Sequence, residues 1–486
     1  MKIVFHTAIL PQLRAEWGSL QPLGFGYLSA YLKRARPDVE TRLAHSEEEL
    51  LAERAGVVAL SAVTYNYGEA RRAAAKVKEA FGATVVLGGP HVTALPERMD
   101  REFDYGVVGE GEETFKELIE HLISGKPLDG LQEIMGLVFW SGDERVVTPP
   151  RPLIDPLDSL PFPDRALFSR EAPLTGGAVA PEGGAVALTG GAVSLITSRG
   201  CPFDCPFCAS TSHWRRLRVH SAEYVIREIA EVAERYKPGL IQFEDDLFVA
   251  DRKRLAAIAE EITRRGYHQR MKFHVSARSN LLTEEVCAIL KTINTSTVFV
   301  GFESNCAATL QALGKRGATP ETNQRAVDNV SRAGMKLIGS FIIGAPGETR
   351  DNAYETYQFI HRNLDAFASA TTGVLRLLPG TEFWRRGMER GIIDENLTGI
   401  VFDSRDFDGW FSLSQRYPML CETMTRGELM ALLLAFNELG AVVAERARVR
   451  ELEREAAALR ARDINALGLK STARALARKM ISRIFK

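Results

Sequence analysis

The chain has 486 residues and lacks an excess of charge of either sign: 61 Lys and Arg against 62 Asp and Glu leave a formal charge of −1. Without a basic surplus there is no electrostatic footprint for nucleic acid, and no nucleic-acid partner is expected. No apolar run approaches the ~20 residues of a membrane-spanning helix. The start, MKIVFHTAIL, carries one lysine and a short apolar run ahead of Pro11, which is not a secretory pattern. The expected location is cytoplasmic. Disorder is excluded for most of the chain, because 45% hydrophobic and 25% charged residues are enough to build buried cores. Cysteine is scarce, six in all, too thin for a disulfide scaffold. Three of the six, Cys201, Cys205 and Cys208, fall within eight consecutive positions, which points to metal.

At about 150 residues per domain the length suggests roughly three domains. Residues 1–150 alternate apolar runs (KIVFHTAI, GVVALSAV, ATVVLGG, YGVVG) with helix-like spacing and end in GLVFWSGDERVVTPP, which reads as a hairpin turning at Ser141-Gly142-Asp143. This predicts an α/β fold, a Rossmann-like doubly wound parallel sheet. Residues 151–193 read as a proline-rich linker followed by a glycine-rich insertion, in which GGAV recurs from Gly176, Gly183 and Gly190. Residues 194–385 resume the alternation with six strand candidates, which predicts a partial or full (β/α) barrel whose chemistry sits at the carboxyl ends of its strands. Residues 386–486 read as mainly helical.

The central motif is SRGCPFDCPFCAS, C-x3-C-x2-C, immediately after the first barrel strand. Three thiolates at that spacing can hold three irons of a cubane 4Fe–4S cluster and leave the fourth iron open. The alternative is a zinc site with His213 as fourth ligand, although structural zinc ligands usually come as two separated pairs. At later strand ends stand Asp245 and Asp246, Ser276 and Arg278, and Glu303; the turn Gly344-Ala345-Pro346-Gly347 follows the fifth strand. An arginine there can grip a carboxylate through two hydrogen bonds. In the N-terminal region Ser61 ends one strand, and Gly88 and Gly89 end the next, where a bulky ligand could lie against bare backbone. His91 follows in the loop, and Gly109-Glu110 open a helix.

CPFDCPFC after the first barrel strand resembles the radical S-adenosylmethionine (SAM) enzymes. PLGFGYLSAYL, LSAVTYN, VVLGGPHVTALPE and VVGEGEETF resemble the cobalamin-binding domain that precedes the barrel in one large subclass. The resemblance covers about residues 1–385. It implies a 4Fe–4S cluster on Cys201, Cys205 and Cys208 and SAM bound at its open iron. Phe207 is implied near adenine, Asp245 and Asp246 near the methionine amino group, Arg278 with Ser276 at the SAM carboxylate, and Glu303 at ribose or substrate. Gly344 and Pro346 are implied near adenine, and cobalamin against the N-terminal glycines. D-x-H-x-x-G, which supplies a histidine to cobalt in many cobalamin enzymes, is absent, so Tyr65 and Asn66 become the candidates for the lower face of cobalamin, and His91 reads as structural or tail-contacting. No residue is singled out as catalytic.

The activity implied is a methyltransferase. A 5′-deoxyadenosyl radical abstracts hydrogen from an unactivated carbon, and the substrate radical takes methyl from methylcobalamin. A cyclase, ring-contraction or oxidation enzyme of the same subclass is the alternative, and a zinc-stabilised cobalamin or redox sensor is the non-enzymatic one. Expected partners are a small-molecule or lipid substrate and an electron donor such as flavodoxin or ferredoxin. The tail 470–486 carries six basic residues and no acid, with Leu476, Met480 and Ile484 on one helical stripe. It reads either as a peripheral contact with the inner membrane face or as a helix packed on the barrel.

Overall fold

The computed structural model describes residues 1–8, 21–125, 128–168, 191–393 and 418–467. The GGAV repeats and the basic tail lie outside the described residues.

The N-terminal sheet is built from β1 (Lys2–Thr7), β2 (Glu40–Ala44), β3 (Val57–Ser61), β4 (Thr84–Gly88), β5 (Tyr105–Val107), β6 (Leu137–Ser141) and β7 (Glu144–Val147). Its order is β2-β1-β3-β4-β5-β6-β7, parallel through β5 and antiparallel at the β6–β7 hairpin. Strands β1, β3 and β4 are buried on both faces, which is why they read as unbroken apolar runs. Strand β2, ETRLA, does not. It is an edge strand whose exposed and buried residues largely alternate, and its polar half hides it in sequence. The helix Tyr67–Phe81 buries Ala70, Ala73, Ala74 and Val77, spaced at helical period, and ends at Gly82 with φ +65°. Strand order reverses between β1 and β3, and open α/β sheets bind ligands in the crevice at that switch point, beyond the carboxyl ends.

The second sheet contains β8 (Ala192–Leu195). A two-residue ladder of β9 (Ser198–Arg199) and β10 (Arg218–Val219) follows at its end. It continues with β11 (Leu240–Phe243), β12 (Lys272–Ala277), β13 (Thr295–Glu303), β14 (Lys336–Ile343) and β15 (Phe367–Val374). The order β15-β14-β13-β12-β11-β8 is parallel throughout, with β8 and β15 left as edges, so the barrel is partial. Alternation divides its faces. Phe273, Val275, Val298, Val300 and Phe302 enter one large core beneath the helices. His274, Ser276 and Phe299 occupy the alternate positions on the inner face.

The C-terminal helix Arg426–Leu467 sends Leu429, Leu433, Phe436, Leu439 and Val443 into the same core. At Gly440 a Cβ would stand 2.7 Å from the Ala370 carbonyl oxygen, so the helix backbone lies directly on β15. The sequence reading finds no apolar stretch of spanning length. By length and composition, however, Arg426–Ala457 is apolar enough to cross a membrane. Glu428 and Glu438 interrupt the run, and the leucines counted toward it include those that bury against the barrel.

Candidate functional site

The cysteine loop is rooted by Asp245. Its carboxylate accepts from the Thr197 and Ser198 backbone N–H groups at 2.6 and 3.2 Å, and from their hydroxyls at 2.5 and 2.8 Å. Arg254 donates to the Thr197 and His220 carbonyls at 2.7 Å each. Gly200 then turns the chain at φ +91°, where a Cβ would meet the Arg216 carbonyl oxygen at 2.5 Å, so no other residue fits without a backbone shift. Cys201, Cys205 and Cys208 follow as free thiols. Cys208 immediately precedes the helix Ala209–Trp214, and its N–H donates to the Cys205 carbonyl at 3.0 Å.

Burial pushes the Cys201 thiol up and the Cys208 thiol to about 11, with Asp246 and the neighbouring cysteines adding to the rise. Thiols so placed are poor free thiolates and are ionised outright by a bound metal. A single zinc would need all its donors within a bond length of ~2.3 Å of one point. A cubane takes each thiolate on a separate iron, and three cysteines in one loop suit it.

Around the loop the side chains divide into two groups. Arg278, 5% exposed, lies over the Phe203 ring at 3.9 Å, with Nη1 3.4 Å from the Cys205 sulfur. Its Nη2 donates to the Arg316 carbonyl at 2.6 Å and its Nε to Asn280 at 3.1 Å. Asp246 accepts from Ser210 at 2.6 Å, beside the cysteines. Phe207 packs on the barrel core together with Cys201 and Phe203. Ser276 sits opposite Phe299 on the inner face. Gly344 turns at φ +82°, and its N–H, with that of Ala345, donates to Glu348 at 2.5 and 3.2 Å; Pro346 is half-buried beside them. Glu348 is 1% exposed, and burial raises it to about 7.

Two side chains are committed elsewhere. Both Asp245 oxygens are taken up by the strand that precedes the loop, which leaves Asp246 as the carboxylate beside the thiols. Glu303, in a left-handed backbone at φ +63°, is paired with Lys315. Gly301 makes room for it, since a Cβ there would overlap its carboxylate.

The N-terminal sheet presents backbone instead. Gly89, at φ +98°, is packed so closely that a Cβ would stand 2.7 Å from the Ala62 carbonyl oxygen and 2.9 Å from Ser61 Oγ. At Gly88 a Cβ would meet only the Leu60 oxygen at 3.9 Å, and at Gly109 nothing within 4 Å, so both leave open backbone at the sheet end. Asn66 bridges the switch point, accepting from Val63 N–H at 2.8 Å and donating to the Ala8 carbonyl at 3.1 Å, and is thereby a structural clasp. His91 is 3% exposed, stacks on Tyr67 at 3.9 Å and lies 3.3 Å from the Thr64 hydroxyl; burial holds it at about 3, so it stays neutral. Burial raises the Tyr65 phenol, and Arg376, at the end of the barrel's last strand, acts against that rise.

The two carboxyl ends meet. Glu110 and Glu112 pair with Arg199, and Glu110 also pairs with Arg218. The helix Pro90–Ala94 contacts the helix Ala209–Trp214. Sequence reasoning does not single out Arg199, Lys315 or Glu348, whose roles depend on partners brought by the fold.

Residues 18–119 match the B12 binding domain family, and residues 195–360 match the Radical SAM superfamily. An uncharacterized methyltransferase, PH0819, of Pyrococcus horikoshii is 33% identical over 380 residues, covering 77% of this chain and 75% of that protein. An anaerobic magnesium-protoporphyrin IX monomethyl ester cyclase of Cereibacter sphaeroides is 27% identical, covering 70% of this chain and 56% of that protein. The solved structure of the radical SAM methyltransferase TsrM from Kitasatospora setae, with cobalamin and a [4Fe–4S] cluster bound, shares the fold with a TM-score of 0.63 and 20% identity over 80% of this chain and 75% of that one. With both domains matched in order and a relative aligned over most of both chains, this protein belongs to the radical SAM family whose members carry a B12-binding domain ahead of the barrel.

Proposed function

We propose that the protein is a cobalamin-dependent radical SAM methyltransferase that methylates a small molecule at an unactivated carbon. One observation carries this reading: the helix that Cys208 precedes packs on the helix that follows Gly89, and Arg199 beside the cysteine loop pairs with Glu110 and Glu112, so cofactors bound at the two strand ends would be neighbours. When bound, the cluster and cobalamin would supply an electron to SAM and a methyl group to the substrate. Cys201, Cys205 and Cys208 hold the cluster, while Arg278 braces their loop and offers its remaining N–H groups to a carboxylate. Asp246 stands where an ammonium group could be held, Phe207 and the Gly344–Pro346 turn flank the adenine, and Ser276 and the Glu303–Lys315 pair line the substrate side. Gly88, Gly89, Ser61 and Gly109 receive the cobalamin tail, and Tyr65 approaches its lower face.

The similarity to an anaerobic cyclase favours a second reading, the same machinery without methyl transfer. Product mass separates the two, because methylation adds about fourteen daltons. Anaerobic reconstitution should give about four irons per chain and release 5′-deoxyadenosine on reduction; SAM cleavage that survives Cys201→Ala would refute the assignment. Flavodoxin or ferredoxin is proposed as the electron donor and the cytoplasm as the location. The basic residues of 470–486 are proposed to touch anionic lipid, which co-sedimentation with phosphatidylglycerol vesicles tests.

A further inference from the structure

Arg199 stands two residues before Cys201 and is 6% exposed. Its Nη1 donates to Glu110 and its Nη2 to Glu112, each at 2.5 Å. The guanidinium also lies between two rings, Tyr27 at 5.4 Å and Trp214 at 5.5 Å. Tyr27 and both glutamates belong to the B12-binding domain, whereas Trp214 ends the helix that Cys208 precedes. On the far side of the cysteine loop that same helix rests against Pro90–Ala94, which directly follows Gly89. Gly380, at φ +80°, fills the joint, where a Cβ would stand 3.2 Å from Ser212 Oγ and 3.4 Å from Ala94 Cβ. Residues 201–208 are therefore gripped by the B12-binding domain at both ends.

A buried ion cluster is a poor way to gain stability, because apolar side chains of the same volume would hold two domains together at least as well. What it fixes is direction. Glu110 follows Gly109, whose open backbone faces the cofactor end of the sheet, so anything that orders residues 108–112 also orders Arg199 and, through it, Cys201. Glu110 is shared between two arginines. Arg218 Nη1 already lies 3.0 and 2.8 Å from the two Glu110 oxygens. Among the described residues Arg218 Nε and Nη2 are buried without partners. Ile154 N–H also donates to Glu110 at 2.7 Å, so Glu110 keeps charged and polar partners when Arg199 is removed and is not left as an isolated buried charge. A contiguous buried ion network that joins the two domains is a physical carrier of coupling between their sites.

We propose that Arg199 is a positioning residue that makes cobalamin binding and cluster binding interdependent. Occupancy of the N-terminal glycines locks Glu110 and Glu112 onto Arg199 and sets the cysteine loop, and by linkage an assembled cluster tightens cobalamin by the same factor. This rests on the cofactor assignment above, so the test first measures iron per chain and cobalamin uptake separately on the full-length protein. Hydroxocobalamin is then titrated into cluster-free and reconstituted protein, with binding followed by absorbance. In the wild type the cluster should tighten cobalamin about tenfold, within the usual range of coupling energies. In Arg199→Met the factor should fall to about one while iron per chain is retained. Glu112→Gln, which keeps the Glu110 contact, should give an intermediate factor and remains readable if the Met variant does not fold. The reduced cluster's EPR signal should respond to cobalamin in the wild type and lose that response in the variants. An undiminished factor in Glu112→Gln and Arg199→Met, or a wild type that takes up both cofactors with no coupling, overturns the proposal. A wild type that takes up neither overturns the cofactor assignment with it.

Discussion

Two α/β sheets bring the carboxyl ends of their parallel strands into contact, and they do so with opposite chemistry. The N-terminal sheet offers glycine backbone there: Gly88 and Gly109 have open space where a side chain would stand, and Gly89 is pressed onto Ala62. The barrel offers thiols, Arg278 and Asp246, each held by neighbours. Surfaces made of backbone suit a large ligand that must lie close, while surfaces made of side chains suit small charged groups that must be ligated or gripped. The contrast also says where each end is vulnerable, one to an added methyl group and the other to a lost functional group.

Cys205→Ala should have the largest effect and a one-sided one. Iron per chain should drop from about four to below about one, while saturating cobalamin still binds; loss of both would show that the ends are not chemically separate. Gly89→Ala is the mirror experiment. With φ at +98° and a carbonyl oxygen 2.7 Å from the new Cβ, cobalamin affinity should fall at least about tenfold with iron retained. Neighbouring carboxylates sharpen the barrel side. Asp245→Asn disturbs a carboxylate that takes four hydrogen bonds and should lower the melting temperature by more than about 5 °C, whereas Asp246→Asn should move it by no more than about 1 °C but weaken SAM binding in equilibrium dialysis.

The smallest effect is a pH slope. Burial holds His91 at about 3 and His220 and His274 at about 4, against 6.5 for a free imidazole. The unfolded chain takes up protons below 6.5 that the folded chain refuses, so stability should fall as pH drops from 6.5 toward 4. Glu348, raised from 4.5 to about 7, works the other way, since its stabilising proton is lost as pH rises through that window. Glu348→Gln should therefore steepen the acid-side fall in melting temperature, and an unchanged slope would count against the buried carboxyl.

The cysteine loop was legible in sequence because its chemistry is local, three thiols within eight positions. The doubly buried strands β1, β3 and β4 were legible as apolar runs, while β2, half polar at an edge, was not. Arg199 was beyond reach because Glu112 lies 87 residues away and only the fold joins them. Asp245 and Asp246 could not be told apart as adjacent letters, yet successive residues past a strand end point to opposite sides, one into the strand's root and one toward the thiols. The resemblance carried the cofactor identities; the contacts of Asn66 with Ala8, of His91 with Thr64 and of Glu110 with Arg199 depend on partners that only the fold brings near.

The knot that Asp245 ties beneath Thr197 and Ser198 has a consequence for electron arrival. Dipoles already clamped in place need not swing when a single charge is added nearby. A redox centre seated on that footing would meet surroundings already fixed at this point, so these groups would add little to its reorganisation energy.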